Sequence, residues 1–382
     1  MKIADVEHRV VDIDATRAHA YNQVNVRRLH SGDLVAVYNE ERFPYHHDSG
    51  QTVMLRSRDE GETWTDRTVV LPYTDTTANW DCGICELDDG ALLVNFTMAA
   101  YFKRGIRPEQ PSWTRGPRTE EHGDWTWSFK TMGWLGTYVV RSTDGGASWC
   151  EPIPVNARPL KHAGCRLGCW TLGDSLLMGV YGRIRGYGEE GENESTRSAL
   201  LRSDDGGDNW EYYSTMAFDA ASIVDFEEPA VVRLADGRMV GMLRTHVNPS
   251  GDAKNMAIVV SEDDGFSWSQ PRFTNIWGYP AELATLPDGR ILMIYGYRRP
   301  PYGVRGCVSE DGLTWDVADG FTIREGGVPA AFYDNPGVYQ HIGYPSVALL
   351  GDGRVLAMYH EHDDSGERPL QFVASTHFRL VD

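Results

Sequence analysis

Five segments of the chain repeat one short pattern: SRDEGETW at 57–64, STDGGASW at 142–149, SDDGGDNW at 203–210, SEDDGFSW at 261–268 and the one-residue-shorter SEDGLTW at 309–315. Fixed-period self-similarity constrains a fold more than any other sequence feature. In each copy the Ser and Asp side chains can hydrogen-bond the backbone of a tight turn, Gly supplies a left-handed residue, and the closing Trp is an apolar plug. The pattern therefore belongs on a hairpin, and Trp64, Trp149, Trp210, Trp268 and Trp315 are expected to be buried between neighbouring sheets, away from any site. A second series interleaves with the first: VRRLHSGDLVAVY, ICELDDGALLVNF, CWTLGDSLLMGVY, AVVRLADGRMVGML, ELATLPDGRILMIY and SVALLGDGRVLAMY, each an apolar run, a turn and another apolar run. Together they make six units of about four strands and roughly 64 residues each. The expected fold is all-β: a single six-bladed β-propeller over residues 1–382. The sixth unit lacks the Asp-type turn, and its last run, LQFVASTHFRL, is expected to pair with the N-terminal KIADVEHRVVDI. Such pairing closes the ring and removes the open sheet edges of a linear array.

Composition narrows the classes of function. Apolar residues at 41% with 24% charged residues fit neither a disordered chain nor a coiled coil. The formal charge of −19 repels phosphate backbones and anionic bilayers, so neither nucleic acid nor membrane is an expected partner. Acidic residues interrupt the N-terminal stretch, and no run of about 18 apolar residues occurs, so a cytoplasmic location is expected. The six cysteines show no disulfide framework. Cys82 and Cys85 form one CxxC without a second well-spaced pair, so buried free thiols are expected rather than zinc. His360-x-His362 is too small a ligand set by itself, and no metal or cofactor is expected. One segment breaks the repeat: residues 99–136 form an insertion rich in aromatics, among them Tyr101, Phe102, Trp113, Trp125, Trp127, Phe129 and Trp134. It is either a lid that stacks on sugars or a contact between two copies of the chain.

In a propeller the first strand of each blade lines the central channel, so residues just before that strand and just after the second strand crowd one mouth. Residues so placed include Asn22, Asp81, His162, Glu228 and Tyr344 on the inner strands, and His46, His47, Asp48, Arg244, Arg298, Arg299 and His360 after the second strands. An acidic protein has gathered arginines and histidines on one rim, which fits an anionic or strongly polar carbohydrate ligand.

The Asp-type turns and the six-unit layout resemble the sialidase superfamily over essentially the whole chain, and the resemblance assigns roles to named residues. Glu228 in EEPAVVRLADGRMVGMLR, 16 residues ahead of Arg244, matches the family's glutamate and second arginine. Tyr344 in GYPSVALLGDG matches the nucleophilic tyrosine, and Asp48 in YHHDSGQTVMLRSRDEG matches the acid/base aspartate. The departures are equally specific. The family's first carboxylate-binding arginine is replaced by Asn22 in YNQV, and the third has three candidates, Arg298, Arg299 and Arg305. Asn cannot form the charged bidentate fork that a carboxylate prefers.

The resemblance implies a retaining exo-glycosidase in which a carboxylate takes the proton of a tyrosine nucleophile, an arrangement outside the usual two-carboxylate scheme. His46 or His47 beside Asp48 would tune the acid/base step. Asp81, His162, Arg244 and the remaining arginines would bind substrate. Two alternatives stay open: a propeller lyase using His and Tyr on a uronic acid, and a carbohydrate-binding propeller without catalysis. Tyr279-Pro280 repeats the Tyr344-Pro345 pair one blade earlier, so Tyr-Pro is also readable as a packing device of the inner strand.

Overall fold

In a computed structural model, residues 1–16, 20–41, 50–74, 76–101, 121–122, 125–126, 132–184, 195–247, 250, 253–326, 343–363 and 370–381 are described. They form six antiparallel sheets of four strands, the third extended by a short strand at Trp170–Leu172, and one two-stranded ladder between Glu121–His122 and Trp125–Thr126. The inner strands of blades 1 to 6 are Ala20–Arg28, Thr77–Glu86, Leu160–Cys165, Val224–Arg233, Ala281–Thr285 and Gly343–Leu349. Each is followed by a hairpin partner: Leu34–Glu41, Leu92–Tyr101, Ser175–Ile184, Met239–Val247, Ile291–Tyr297 and Val355–Asp363. The N-terminal strand Lys2–Asp12 pairs with Leu370–Val381 in the register Lys2↔Val381 through Asp12↔Val373, so the two ends of the chain share blade 6. This is the six-bladed propeller that the repeats predict, closed as expected.

Sequence pattern and burial agree strand by strand. A strand in the middle of a blade is covered on both faces and reads as a continuous buried run, as in Leu34–Glu41, whereas the outer strand Thr65–Leu71 is largely exposed. Among the described residues the apolar core divides into six large clusters, one at each junction between neighbouring blades. Blades 2 and 3 come backbone to backbone at Gly83 and Gly168: a Cβ on Gly83 would lie 2.2 Å from the Gly168 nitrogen.

The repeated turns are built as the sequence implies. In the first, Ser57 Oγ donates to Asp59 Oδ1 at 2.8 Å and accepts from the Gly61 N–H at 2.9 Å, while Asp59 Oδ1 accepts from the Thr63 N–H at 2.9 Å. Gly61 sits at φ 82°. The same bonds recur around Asp144, Asp205 and Asp263. The tryptophans divide in a way the motif does not reveal. Trp210 and Trp315 are buried, but Trp64, Trp149 and Trp268, although each packs against an inter-blade cluster, are only partly buried.

Two further expectations need adjustment. Five cysteines are free and buried, but Cys150 is exposed because it follows the second repeated turn at the surface. The strand ladder of blade 2 continues from Ser142↔Leu92 to Met132↔Tyr101, so 99–101 and 132–136 belong to the sheet rather than to the insertion. Trp134 packs 6.5 Å from Trp80. Phe102, Trp113, Trp127 and Phe129, with the side chains of Tyr101 and Trp125, lie outside what is described.

Candidate active site

Five inner strands carry the same irregularity: the ladder of blade 3 slips between Lys161 and Gly164, and four other ladders also place a left-handed residue at the slip. These four slip where one strand has extra residues: between Asn22 and Asn25, Trp80 and Gly83, Glu227 and Ala230, and Gly343 and Ser346. Within each of the four slips one non-glycine residue takes a left-handed backbone: Gln23 at φ 53°, Asp81 at 54°, Glu228 at 45° and Tyr344 at 44°. A bulge re-aims the side chain that it carries, and a left-handed non-glycine residue costs on the order of 1–3 kcal/mol. Four such residues on one ring mark the level at which the fold accepts strain.

Tyr344 is the centre of this ring. It is buried, and its hydroxyl donates to Glu228 Oε1 at 3.2 Å. Arg244 Nη1 donates both to Glu228 Oε2 at 2.9 Å and to the Tyr344 oxygen at 3.3 Å. Burial pushes the Tyr344 phenol well above its ordinary range; the Glu228 charge adds to the rise, and Arg244 and Arg298 oppose it. The resting phenol therefore keeps its proton, and Glu228 stands where that proton would go.

Arginines surround the phenol. Arg298 is 6% exposed, with its guanidinium 4.8 Å from the Tyr344 ring centroid and 4.6 Å from that of Tyr279; its Nε and Nη2 are buried without a hydrogen-bond partner. Arg244 lies 4.4 Å from the same Tyr279 ring. Arg166 reaches from blade 3 to donate to the carbonyls of Ala281 in blade 5 at 2.9 Å and Pro345 in blade 6 at 2.8 Å. Burial drives its pKa down, and the charges of Glu228 and Glu282 work against that. Glu282 is itself ion-paired with Arg27. Arg166 thus forms a fixed cationic floor under the Tyr344 ring, 5.6 Å away.

Asp81 is buried on its bulge; its backbone N–H donates to Gln23 Oε1 at 3.1 Å and Asn39 Oδ1 at 3.0 Å, and its charge is among those acting on Tyr344 and Arg166. The structure does not bring Arg299 and Arg305 into this group. Arg299 lies 3.7 Å over the Trp277 ring, and Arg305, one strand further out, lies 3.4 Å over Tyr297. Consecutive residues at a strand end face opposite ways, so Arg298 points to the channel and Arg299 does not. His46, His47 and Asp48 lie outside the described residues, as does the side chain of His162. Asn22 is fully buried and donates to Glu41 Oε1 at 3.3 Å; the residue of blade 1 at the level of Asp81, Glu228 and Tyr344 is Gln23. Blade 1 thus presents neutral amides.

Sequence reasoning overlooked several members of the site. Arg166 has no motif, only its place just past an inner strand. Tyr181 sends its phenol against Gly164, where a Cβ would lie 2.8 Å from its Cζ; the glycine in an inner strand was the available signal. Burial raises the Tyr181 pKa, and the charges of Asp81, Glu228 and Glu227 add to it. Tyr279 supplies a ring on which Arg244 and Arg298 both lie.

The fold and this cluster define the class: a six-bladed propeller of the sialidase type, with a tyrosine, a glutamate and arginines at one mouth. The chain belongs to the BNR repeat-like domain family, whose model matches residues 118–357. It is similar to a structure of a protein of unknown function from Dyadobacter fermentans, at 24% identity and a TM-score of 0.76, covering 99% of each chain. It is also similar to the NanB sialidase of Streptococcus pneumoniae, at 14% identity and a TM-score of 0.64, covering 97% of this chain and 70% of that one. A leech intramolecular trans-sialidase gives 15% identity and a TM-score of 0.65, over 98% of this chain and 70% of that one. At such identities the likeness concerns the fold alone. No curated protein matches the sequence.

Proposed function

We propose that the protein is a retaining glycoside hydrolase of sialidase type that acts on an acidic or strongly polar sugar other than an ordinary sialoside. The observation that carries this reading is the contact of the Tyr344 hydroxyl with Glu228, with Arg244 Nη1 on both. Glu228 accepts the phenol proton as Tyr344 Oη bonds to the anomeric carbon and the bond to the leaving oxygen breaks. The leaving oxygen takes its proton from an acid, for which Asp48 is the candidate from sequence. Water then attacks the anomeric carbon of the tyrosyl glycoside and gives its proton to the carboxylate that the first step left on the acid, restoring it, while the bond to Tyr344 Oη breaks and the leaving phenolate recovers its proton from Glu228. Arg298, buried beside Tyr344 with Nε and Nη2 unpartnered, is the candidate to hold the sugar's anionic group once substrate displaces what covers it. Asp81 and Arg166 set the local field.

A panel of aryl glycosides of ulosonic and uronic acids tests the reading. Expected are release of the aryl group with retained anomeric configuration, and a glycosylated Tyr344 peptide after trapping with a fluorinated substrate analogue. Inverted product, or an unsaturated product in place of a hydrolysed one, would overturn it, the latter in favour of a lyase. The substrate side of the proposal rests on blade 1: with neutral Asn22 and Gln23 where a third arginine is wanted, an aryl sialoside should be a poor substrate. Asn22→Arg, placing a guanidinium beside Glu41, should improve its KM tenfold or more, since one charge-assisted hydrogen bond contributes roughly 1.5–3 kcal/mol. Robust wild-type turnover with no gain from the arginine would refute that selectivity.

A further inference from the structure

Arg244 is held from behind by a histidine that no catalytic role requires. His246, two residues along the same strand and 8% exposed, places Nε2 3.4 Å from Arg244 Nε and 3.3 Å from Arg244 Nη2. Its other nitrogen, Nδ1, lies 3.1 Å from Glu227 Oε2. A guanidinium has donors only, so Nε2 has to be the acceptor, and the ring proton then belongs on Nδ1, donated to Glu227. Glu227 is able to accept it: burial works to raise its carboxyl pKa, but the His246 hydrogen bond and the Arg244 charge, with smaller effects of a charge on His246 and of Arg183, outweigh this and hold it down.

We infer that His246, neutral and protonated on Nδ1, is the positioning residue that aims Arg244 at Glu228 and Tyr344, and that protonation of its ring releases that aim. The inference rests on the proposed hydrolase only for its activity arm. Arg244 commits Nε and one Nη2 hydrogen to His246, which turns Nη1 towards the carboxylate and the phenol. A proton on Nε2 would put an N–H against two guanidinium donors and a cation beside a cation. The groups facing the ring are Glu227 and Asp225 from the inner strand, Arg244 from its own strand, the Tyr279 ring at 5.3 Å edge-on, and the charge of Arg183 from blade 3 acting through Glu227. Asp225 is partly committed elsewhere, accepting from the Thr196 N–H at 2.6 Å.

The test uses the full chain labelled with nitrogen-15 histidine, the His246 signals being assigned by their loss in His246→Gln. Expected is a neutral ring with a pyridine-type Nε2 and a protonated Nδ1 near pH 7.5, whose titration midpoint moves upward in Arg244→Met. An Nε2–H tautomer, an imidazolium at that pH, or a midpoint unmoved in Arg244→Met would overturn the inference. In the activity arm, the glycoside found with the panel is followed from about pH 5 to 8. His246→Phe should lose tenfold or more in kcat/KM, and His246→Gln, which offers an amide oxygen to Arg244 but cannot titrate, should recover most of that loss without the wild-type acid limb. An acid limb that persists in His246→Gln would overturn the inference. Should no panel member turn over, the hydrolase reading fails while the tautomer and midpoint still decide the role of His246.

Discussion

Replacing Glu228 by Gln removes the proton acceptor while leaving a side chain of the same size that still offers an oxygen to Arg244. An ordinary phenol, with a pKa near 10, is ionised about one part in a thousand at pH 7, and Tyr344 is less ionised still because burial and Glu228 both push it up. Attack without a base therefore has to begin from a minute phenolate population, and the expected fall in kcat/KM is about 10²–10⁴. That is about 3–5 kcal/mol of transition-state stabilisation. The variant also has a signature in pH. With the carboxylate gone, Arg244 and Arg298 lower the phenol pKa and the smaller effect of the Asp81 charge still raises it. Phenolate then accumulates tenfold per pH unit below that pKa, so the rate of Glu228→Gln should climb towards alkaline pH and approach the wild type, whereas Tyr344→Phe should be inactive throughout. The assay is kcat/KM for an aryl glycoside over pH, with circular dichroism as a check on folding. A Glu228→Gln enzyme within about threefold of wild type, or one whose pH profile runs parallel to it, would refute the assignment of Glu228 as base.

Other outcomes follow from the same contacts. Arg298→Met removes a buried cation whose Nε and Nη2 have no partner, so the melting temperature should hold or rise, while KM for an anionic glycoside rises by tenfold or more; a lower melting temperature with unchanged KM would contradict this. Trp210→Ala, at 4% exposure, should cost about 3–5 kcal/mol in denaturant unfolding. Trp149→Ala, only partly buried, should cost clearly less. The repeated turns set an acid limit. Hydrogen bonds from Ser148 hold Asp144, and those from Asn209 hold Asp205, at about 2. Their folded pKa lies below the unfolded value of about 3.9, so their contribution is complete above about pH 4 and is lost as pH falls towards 2; Asp205→Asn should flatten that part of a stability–pH curve.

The blades were legible because their information is local. A Ser, an Asp and a Gly at fixed spacing close a turn whatever surrounds it, and the apolar runs on either side announce strands covered on both faces. Tyr344, Glu228 and Arg244 were singled out by the resemblance to the sialidase superfamily, and the structure brings the three side chains together. Choosing among Arg298, Arg299 and Arg305 was not possible from sequence, because it depends on which way Tyr297 faces when it pairs with Gly303. Nor did the residue types Gln23, Glu228 and Tyr344 foretell a left-handed backbone; of the four, only Asp81 is of a kind that visits it with any regularity. That conformation is imposed by the surrounding ring.

The charges at the mouth then explain why one arginine is left open. Among the described residues, Glu282 is matched by Arg27, and Glu227 and Glu228 share Arg244. Arg166 spends two donors on carbonyls of blades 5 and 6, which ties three inner strands together beneath Tyr344. Arg298 has neither a carboxylate nor a carbonyl on Nε and Nη2, and these are the two parallel donors that form a bidentate fork. A buried cation left in that state costs stability unless something anionic arrives. Among the described residues, the unmatched donors of Arg298 therefore belong to a guanidinium only 4.8 Å from the ring of Tyr344, itself one of the four residues held in a left-handed backbone.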